Sequence, residues 1–163
     1  MIKGIHRVWR DNYMEIKKTN ADDIETLIDI RLEMLRVVNN LPEDAEFDKV
    51  LVDRSREYFL KGNQTTVIAI DGGKAIGCAS LSYINLMPTY DHPTGKRAHL
   101  MNVYTNKDYR RQGIGKKMVE LLIDEAKSKG CTEISLDATE QGRFLYTQLG
   151  FTANNNGMVL NLK

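Results

Sequence analysis

The segment with the most evident chemical use is a basic, glycine-bearing turn, YRRQGIGK at residues 109–116, which opens a long helical pattern. The first N–H groups of a helix lack internal partners, and the helix dipole adds partial positive charge at that end. A phosphate group is therefore a natural ligand there. Gly113 and Gly115 carry no Cβ atoms to hold a diphosphate away from the backbone, and the basic side chains strengthen each hydrogen bond to it. The turn predicts a diphosphate site; the alternative is a helix start with flexible glycines and solvated arginines.

Upstream of the turn, the hydrophobic periodicity predicts a strand, two helices and a hairpin. A short strand at residues 14–17 leads into an amphipathic helix over residues 21–40, and a weaker helical pattern follows over residues 50–59. The β-branched run at residues 65–70 and the apolar run at residues 75–86 are separated by Asp-Gly-Gly. That arrangement is typical of a β-hairpin.

Around and after the turn, the pattern completes a mixed α/β domain. A strand at residues 98–105 runs into the turn, and residues 113–129 form the clearest helix of the chain. A strand at residues 133–138, a short helix through Tyr146 and a final hairpin around residues 155–157 follow. The predicted order is β-α-α-β-β-β-α-β-α-β-β, a mostly antiparallel sheet flanked by helices.

The bulk composition is that of an ordinary globular chain. It has 163 residues, 42% of them hydrophobic, enough for a single core. A formal charge of +1 argues against a dedicated nucleic-acid binder, and no apolar run approaches the roughly 20 residues that span a bilayer. Cys78 and Cys131 lie far apart with no zinc-ligand spacing, so we expect no metal and a reducing, cytoplasmic setting.

We expect a single domain over residues 14–163. Residues 1–13 read as an N-terminal extension, or Met14 as an alternative start, because the natural opening of a domain appears at Met14. The first residues lack the uninterrupted apolar stretch of a signal peptide.

Two motifs together resemble a known family. The sequence NVYT at residues 102–105, followed by YRRQGIG at residues 109–115, resembles the acetyl-CoA signature of the GNAT superfamily of acetyltransferases. A second match at the expected distance, RFLYTQLGF at residues 143–151, resembles the L-Y-x-x-x-G-F segment of the same superfamily. With the element order, the resemblance covers residues 14–163 and implies the GNAT fold.

The resemblance implies a set of acetyl-CoA-binding residues. The backbone of residues 103–105 would pair with the pantetheine arm, as a strand edge pairs with a peptide, and residues 110–116 would hold the pyrophosphate. Thr139 stands where many members have Asn, and Lys107 where Pro is common, so Thr139 is carried over only as a hydroxyl that could reach the cofactor. The implied set is Val103, Tyr104, Thr105, Arg110, Arg111, Gln112, Gly113, Ile114, Gly115, Lys116 and Thr139.

The resemblance also places Tyr146 near the CoA sulfur, as the catalytic residue. A phenol with an ordinary pKa of about 10 is a competent proton donor to a leaving thiolate. The alternative reading of Tyr146 is a half-buried core aromatic. Cys78 and Cys131 have no histidine at a suggestive spacing, so they are interpreted as buried strand and turn residues rather than nucleophiles.

The acceptor side is less defined. Arg31 falls on the apolar stripe of the first helix, so its guanidinium must either reach solvent or find a buried partner, and it is a candidate for holding a substrate carboxylate. His99 and Asn102 lie on the strand next to the expected site, and strand alternation predicts that they face opposite sides of the sheet. The general base is left open between His99 and a bound water. Four further residues could line the same cleft, and the sequence does not rank them: Glu33, Tyr58, Tyr83 and Tyr90.

The predicted function is an N-acetyltransferase that moves the acetyl group of acetyl-CoA, its co-substrate, directly to a primary amine of a small molecule or peptide. In this mechanism backbone N–H groups polarise the carbonyl oxygen. Two alternatives of other classes are a catalytically idle acyl-CoA-binding sensor or interaction domain, and a nucleotide-binding domain. The missing Walker and G-x-G-x-x-G patterns count against the nucleotide-binding domain. The expected partner is the amine acceptor, without nucleic acid or membrane, and a homodimer is left open.

Overall fold

The structure, a computed structural model, describes residues 14–154 and 156–162. In chain order the elements are β1 Glu15–Lys18, α1 Ile24–Val38, α2 Lys49–Lys61, β2 Gln64–Asp71, β3 Lys74–Asn85, β4 Lys96–Thr105, α3 Ile114–Ser128, β5 Ile134–Leu136 and α4 Arg143–Gln148. The five strands form one sheet in the order β1-β2-β3-β4-β5. Neighbouring strands are antiparallel except β4 and β5, which are parallel. The predicted mixed α/β class is confirmed.

Helices α1 and α2 cover one face of the sheet. The apolar stripe of α1 packs on β2, β3 and β4 through a cluster of buried side chains: Leu27, Ile30, Met34, Ile68, Cys78 and Tyr104. Helix α2 begins after Asp48, whose carboxylate accepts a hydrogen bond from the Val50 N–H at 2.7 Å. The buried residue of α2 is a serine, Ser55. This serine lines the cleft described below.

Helix α3 covers the opposite face and builds the larger core. Its buried residues are Ile114, Met118, Val119, Leu122 and Ala126, at the helical spacing predicted from the sequence. They pack against the inward side chains of β2, β3 and β4, and Tyr146 and Phe151 lie at the edge of this cluster. The two helical layers therefore bury both faces of β4.

A bulge interrupts β4. Between Ser80 and Cys78 strand β3 advances two residues, while its partner advances three, from Met101 to Tyr104. Asn102 lies in the extra turn of the chain with a left-handed φ of +57°. A bulge of this kind bends the strand and reverses its side-chain alternation. This local feature decides where the β4 side chains point.

Two predicted features differ from the structure. The helix expected from residue 21 begins with a separate 3-10 turn, Ala21–Asp23, before α1. The final hairpin does not form: residues 151–154 and 156–162 contain no strand, and Asn155 of the predicted turn lies outside the described residues. The edge strand β5 is only three residues long, and the apolar side chains of this tail are exposed, 98% for Met158 and 91% for Leu162. A strand with neither a long ladder nor a buried face lacks the main sources of strand stability.

The proposed extension or start at residues 1–13 also lies outside the described residues. None of the four helices within the described part of the chain is long and apolar enough to cross a membrane.

Candidate active site

The turn between β4 and α3 bends through two left-handed residues. Arg111 has φ +61° and Gly113, the residue before the first turn of α3, has φ +79°. Left-handed residues within a turn aim successive backbone N–H groups toward one concave surface, which attracts anions. The concavity lies at the positive end of a 15-residue helix. The backbone here has the form that a phosphate site requires.

Arg110 fixes this turn to the end of β4. Its Nε donates to the carbonyl oxygen of Thr105 at 3.0 Å, while Gln112 Nε2 lies 3.4 Å from the Asp108 carbonyl oxygen. Arg111 and Lys116 are exposed at the same surface. Contacts from the Arg110 and Gln112 side chains to backbone carbonyl groups thus hold the turn. The charged side chains of Arg111 and Lys116 stay exposed at the start of α3.

The two glycines of the turn have different surroundings. A Cβ atom built on Gly113 meets no atom within 4 Å, so the space in front of it is open. A Cβ atom on Gly115 would lie 3.5 Å from Thr105 Oγ1 and 3.7 Å from Leu145 Cδ2. Gly115 lies where α3 approaches β4 and α4, whereas Gly113 leaves a gap at the anion-attracting backbone. The surroundings of the two glycines therefore differ, which the sequence alone did not show.

Strands β4 and β5 separate beside this turn. Their pairing runs from Ala98 with Ile134 to Leu100 with Leu136, where β5 ends. Beyond Leu100, no strand of the described residues pairs with β4 on that side. The backbone at residues 103–105 therefore has one open edge, as the predicted pairing with an extended ligand arm requires.

Tyr146 lies on α4 at the side of this opening. Its ring packs edge-on against Phe151, with ring centroids 5.8 Å apart, and borders the larger core. Burial raises the pKa of the Tyr146 phenol above its ordinary value, because the ionised form loses hydration. The hydroxyl has no hydrogen bond to another described residue. A protonated phenol with an uncommitted hydroxyl is compatible with proton donation, although the ring also packs as a core aromatic does.

Thr139 organises the loop before α4. Its Oγ1 accepts a hydrogen bond from the Gly142 N–H at 3.2 Å, and its carbonyl oxygen accepts another from the same N–H at 3.0 Å. The hydroxyl therefore supports the loop that leads to Tyr146. Contact with a cofactor remains a prediction for this residue.

A cleft of about 390 Å³ opens on the other side of the bulge, between α1, α2 and the sheet. Polar and apolar side chains line it on both the helix and the sheet side. The lining residues are Arg31, Leu51, Arg54, Ser55, Tyr58, Phe59, Ser80, Ser82, Met101 and Asn102. The cleft and the open edge of β4 thus lie around the same stretch of strand.

Arg31 and Asn102 meet in this cleft. Arg31 Nη1 donates to Asn102 Oδ1 at 2.9 Å, and its Nε donates to Ser55 Oγ at 3.1 Å. The Asn102 amide in turn donates to Ser80 Oγ at 3.3 Å and approaches Cys78 Sγ at 3.5 Å. Of the two outcomes expected for Arg31, the structure shows the second: it has neutral partners, the buried Ser55 and the half-buried Asn102. Its contacts hold the left-handed residue of the bulge.

His99 lies on the same sheet face as Asn102, so the prediction of opposite faces is wrong. His99 is directly opposite Ser82, which lines the cleft, and Asn102 contacts Ser80 on that same face. Residues three apart in a regular strand lie on opposite faces. The bulge adds one residue between His99 and Asn102, so the two side chains lie on the same face. His99 Nδ1 lies 2.9 Å from Ser135 Oγ, and its Nε2 lies 3.9 Å from Asp137 Oδ2.

Comparison with known proteins agrees with this geometry. The family model described as Acetyltransferase (GNAT) family matches residues 25–151, more than half of the chain. The chain belongs to this acetyltransferase family. The resemblance inferred from the sequence is confirmed, and with it the fold.

Individual relatives are similar over part of their length. The chain is 32% identical over 90 residues to a glucosamine 6-phosphate N-acetyltransferase of Trypanosoma brucei brucei, covering 55% of this chain and 59% of that protein. It is 31% identical over 81 residues to a thialysine N-epsilon-acetyltransferase of Sus scrofa, covering 48% of each. The chain thus spans about half to three-fifths of the length of these two curated relatives.

A solved structure matches more completely. A protein of Clostridium acetobutylicum, described as a predicted acetyltransferase with acetyl-CoA, superposes with a TM-score of 0.80 at 29% identity. The match covers 91% of this chain and 96% of that one.

Within the GNAT domain, only one of the four unranked residues lines the cleft. Tyr58 does so, with its hydroxyl 2.6 Å from Ser82 Oγ. Glu33 accepts hydrogen bonds from Tyr104 Oη and Asn106 Nδ2, each at 2.8 Å, and so braces the end of β4. Burial and, to a smaller extent, the hydrogen bond to the Glu33 carboxylate raise the pKa of the Tyr104 phenol. The Tyr104 ring faces α1, so only the backbone of this residue faces the open edge.

The remaining two residues lie elsewhere. Tyr83 packs against the larger core, on the α3 side, with its hydroxyl donating to Thr65 Oγ1 at 2.8 Å. Tyr90 is fully exposed in the loop before β4. Neither residue lines the cleft, because Tyr83 alternates to the other face of the sheet from Ser82 and Tyr90 lies in the loop.

Sequence reasoning missed the serines of the cleft. Ser80 and Ser82 alternate on β3, and Ser80 is buried. Two serines at period two within a core strand are a readable signal, because buried hydroxyls require partners. Ser55 and Met101 carried no comparable signal, since each becomes part of the cleft only through packing of distant elements.

The cysteines fit the structural interpretation. Cys78 is fully buried and Cys131 half-buried, and neither forms a disulfide. Burial raises the pKa of the Cys78 thiol to about 12, which suppresses its reactive thiolate. Within the described residues there is no group of three or more His, Cys, Asp or Glu side chains able to hold a metal ion.

Proposed function

We propose that the protein is an N-acetyltransferase that moves the acetyl group of acetyl-CoA to a primary amine of a small molecule or peptide. The observation that supports this most strongly is the bulge at Asn102, which lies between the open edge of β4 and the cleft. One side of this strand has the backbone form expected for a phosphate-bearing, extended ligand, and the other has a polar cleft. The named relatives acetylate amines, glucosamine 6-phosphate and thialysine.

The residues of the turn at 110–116 have the chemistry that binding of the acetyl-CoA pyrophosphate requires. Gly113 leaves open space where a side chain would otherwise stand, and the N–H groups of the α3 start are directed to that space. We propose that residues 110–116 bind the pyrophosphate and that the β4 backbone at residues 103–105 binds the pantetheine arm. Bound acetyl-CoA supplies an activated thioester acyl group.

The bulge supplies the electrostatic part of the proposed mechanism. A bulge leaves backbone groups of one residue outside the strand ladder. We propose that N–H groups at residues 102–103 polarise the acyl oxygen, as preorganised donors do in acyl transfer. Arg31 holds this backbone through the Asn102 side chain.

Two side chains would move the protons. We propose that Tyr146 donates the proton of its Oη to the leaving sulfur, because its raised pKa keeps it protonated. We propose that His99, which shares the sheet face of the cleft, accepts the amine proton directly or through one water. The exposed carboxylate of Asp137, 3.9 Å from His99 Nε2, would favour the protonated imidazole that results. Transfer is direct, without an acyl-enzyme.

The test is release of free CoA thiol from acetyl-CoA across amines, namely amino acids, amino sugars, polyamines, aminoglycosides and peptides. We expect one class to give amine-dependent turnover, and acetyl-CoA to raise the melting temperature. A ligand bound only by the native state stabilises it by about 2.7 kcal/mol at a hundredfold excess over Kd. A larger stabilisation by NAD or ATP than by CoA would contradict the proposal. A cytoplasmic location and a homodimer remain predictions.

A further inference from the structure

The cleft contains a half-buried cation without a counter-charge. The partners of Arg31 are the Ser55 hydroxyl and the Asn102 amide oxygen, both neutral. No described carboxylate lies within 4.0 Å of its guanidinium. Loss of hydration lowers the pKa of Arg31, so its environment disfavours the charge it carries.

The other half-buried arginines are compensated differently. Each has a carboxylate or an aromatic face: Arg56 with Glu25, Arg97 with Glu133 at 3.2 Å, and Arg36 with the Phe47 ring at 5.3 Å. A buried charge is costly unless it is paired, and an arginine in a protein cannot neutralise itself by losing a proton. Arg31 is therefore the position where a ligand charge would be most favourable.

The remaining N–H donors of Arg31 suit an oxyanion. A guanidinium has five N–H donors in a rigid fork, and Arg31 uses two of them on Ser55 and Asn102. Three remain for a carboxylate or a phosphate, which guanidinium groups bind through parallel hydrogen bonds. Ser55 is itself buried and fixes the orientation of the fork.

The rest of the cleft has the same sign of charge. Among its ten lining residues the ionisable ones are two arginines and a tyrosine, and none is a carboxylate. Arg54, the second arginine, stands on α2 and pairs with Glu57 at 3.0 Å. A polycationic acceptor would meet repulsion at Arg31 with no lining carboxylate to offset it, whereas an acceptor with its own anionic group would be attracted.

We propose that the acceptor carries a carboxylate or phosphate group on the same molecule as its amine, and that Arg31 binds that group. This inference rests on the proposed acetyl transfer and specifies its substrate class. It makes Arg31 a specificity-determining residue. Its contact with Asn102 places the anion subsite beside the bulge, where the proposed function puts the thioester.

The test compares matched acceptors that differ only in the anion. One arm pairs amino acids with their amides, and a second pairs aminoalkyl phosphates with the corresponding amino alcohols. We expect at least about a tenfold higher kcat/KM for the anionic member in one arm, the effect of one charged hydrogen bond. The arm with the larger ratio identifies carboxylate or phosphate.

The Arg31→Gln variant should reduce that ratio to near one. Arg31→Lys should retain an intermediate preference, because it keeps the charge and loses the fork. Arg36→Gln, on the same helix and outside the cleft, should preserve the parental ratio. Thermal unfolding of each variant checks that it is folded. A ratio that survives Arg31→Gln, with equal losses on both members, would reduce Arg31 to a support for Asn102 and overturn the inference.

A binding readout separates this inference from the proposed function. The Arg31 Nε–H resonance, assigned by its disappearance in Arg31→Gln, is followed by NMR while inorganic phosphate or acetate is added to the CoA-bound protein. We expect a saturable shift at Arg31 that exceeds the shift at Arg36. An equal shift at both would overturn the anion subsite. Absence of turnover with every amine would instead contradict the proposed function.

Discussion

The two sides of β4 are built in different ways. On one side, the turn at residues 110–113 creates its site from consecutive backbone groups and two left-handed residues. On the other, the cleft takes side chains from α1, α2, β3 and β4, which are distant in sequence. A site made of consecutive backbone can be recognised as a motif, whereas one made by packing depends on every element that meets there. The predictions below separate the contributions of the two sides.

The largest effect is expected on the side of the turn, at Tyr146. The Tyr146→Phe variant keeps the packing against Phe151 and removes the proton donor. We expect kcat to fall by about 10²–10⁴-fold, the usual contribution of a positioned general acid, with little change in acetyl-CoA affinity. Tyr83→Phe, which loses a hydroxyl that donates to Thr65 Oγ1 elsewhere on the same core, is the matched control. Steady-state kinetics with near-parental kcat in a folded Tyr146→Phe protein would remove Tyr146 from the mechanism.

The second effect belongs to the acceptor side. His99→Gln keeps a polar side chain of similar length and removes the proton acceptor. If His99 is the base, kcat should fall by at least about 10²-fold, the lower end of the usual rate contribution of a general base. His92→Gln in the loop before β4, whose ring contacts Thr132, is the control. Turnover of His99→Gln within a fewfold of the parent would assign the proton to a water relay.

The third effect isolates the backbone of the cofactor side. Gly113→Val forces a branched residue into a left-handed conformation and fills open space at the start of α3. Gly130→Val, at the other end of the same helix, also adds a side chain that meets no atom within 4 Å, at φ +73°. Each should cost about 1–2 kcal/mol of stability.

Only the variant at the helix start should lose ligand. We expect calorimetry to give CoA affinity at least about tenfold weaker for Gly113→Val, because the side chain occupies the anion site. CoA affinity of Gly130→Val should match that of the parent. Equal affinities for the two variants would mean that the phosphates bind elsewhere.

The smallest effect is expected at the cysteines. With its pKa raised to about 12 by burial, Cys78 has almost no thiolate at neutral pH. We expect it to resist alkylation in the folded protein, and we expect alkylation of Cys131 to leave turnover nearly unchanged. Mass spectrometry of the modified peptides, beside an activity assay, checks both. Inactivation in proportion to Cys78 labelling would reopen an acyl-enzyme mechanism.

The sequence predicted most of the fold because its helices and strands have strong local patterns. The stripe of α3, the Asp-Gly-Gly hairpin and the glycine turn are each encoded within about twenty residues. The prediction of a C-terminal hairpin was wrong, because an Asn-Gly turn signal leads to a hairpin only where the flanking strands find partners. Local pattern is insufficient when pairing depends on a short neighbouring edge such as β5.

The acceptor side was less predictable for a specific physical reason. The bulge at Asn102 reverses side-chain alternation, and nothing in the sequence HLMNVYT marks the inserted residue except an asparagine, which tolerates left-handed φ. Whether His99 and Asn102 share a face of the sheet depended on that single residue. The partners of Arg31 likewise come from α2 and β4, whose packing no periodicity specifies.

The measurement that tests the central claim most directly is the stoichiometry of CoA release and N-acetyl product formation in one reaction with the best acceptor. Thiol titration follows the CoA, and mass spectrometry of the acceptor follows the acetylated amine. The account predicts equal amounts of the two at every time point, with no release when the amine is omitted. Thiol release that is independent of amine, or that continues without any N-acetyl product, would contradict it.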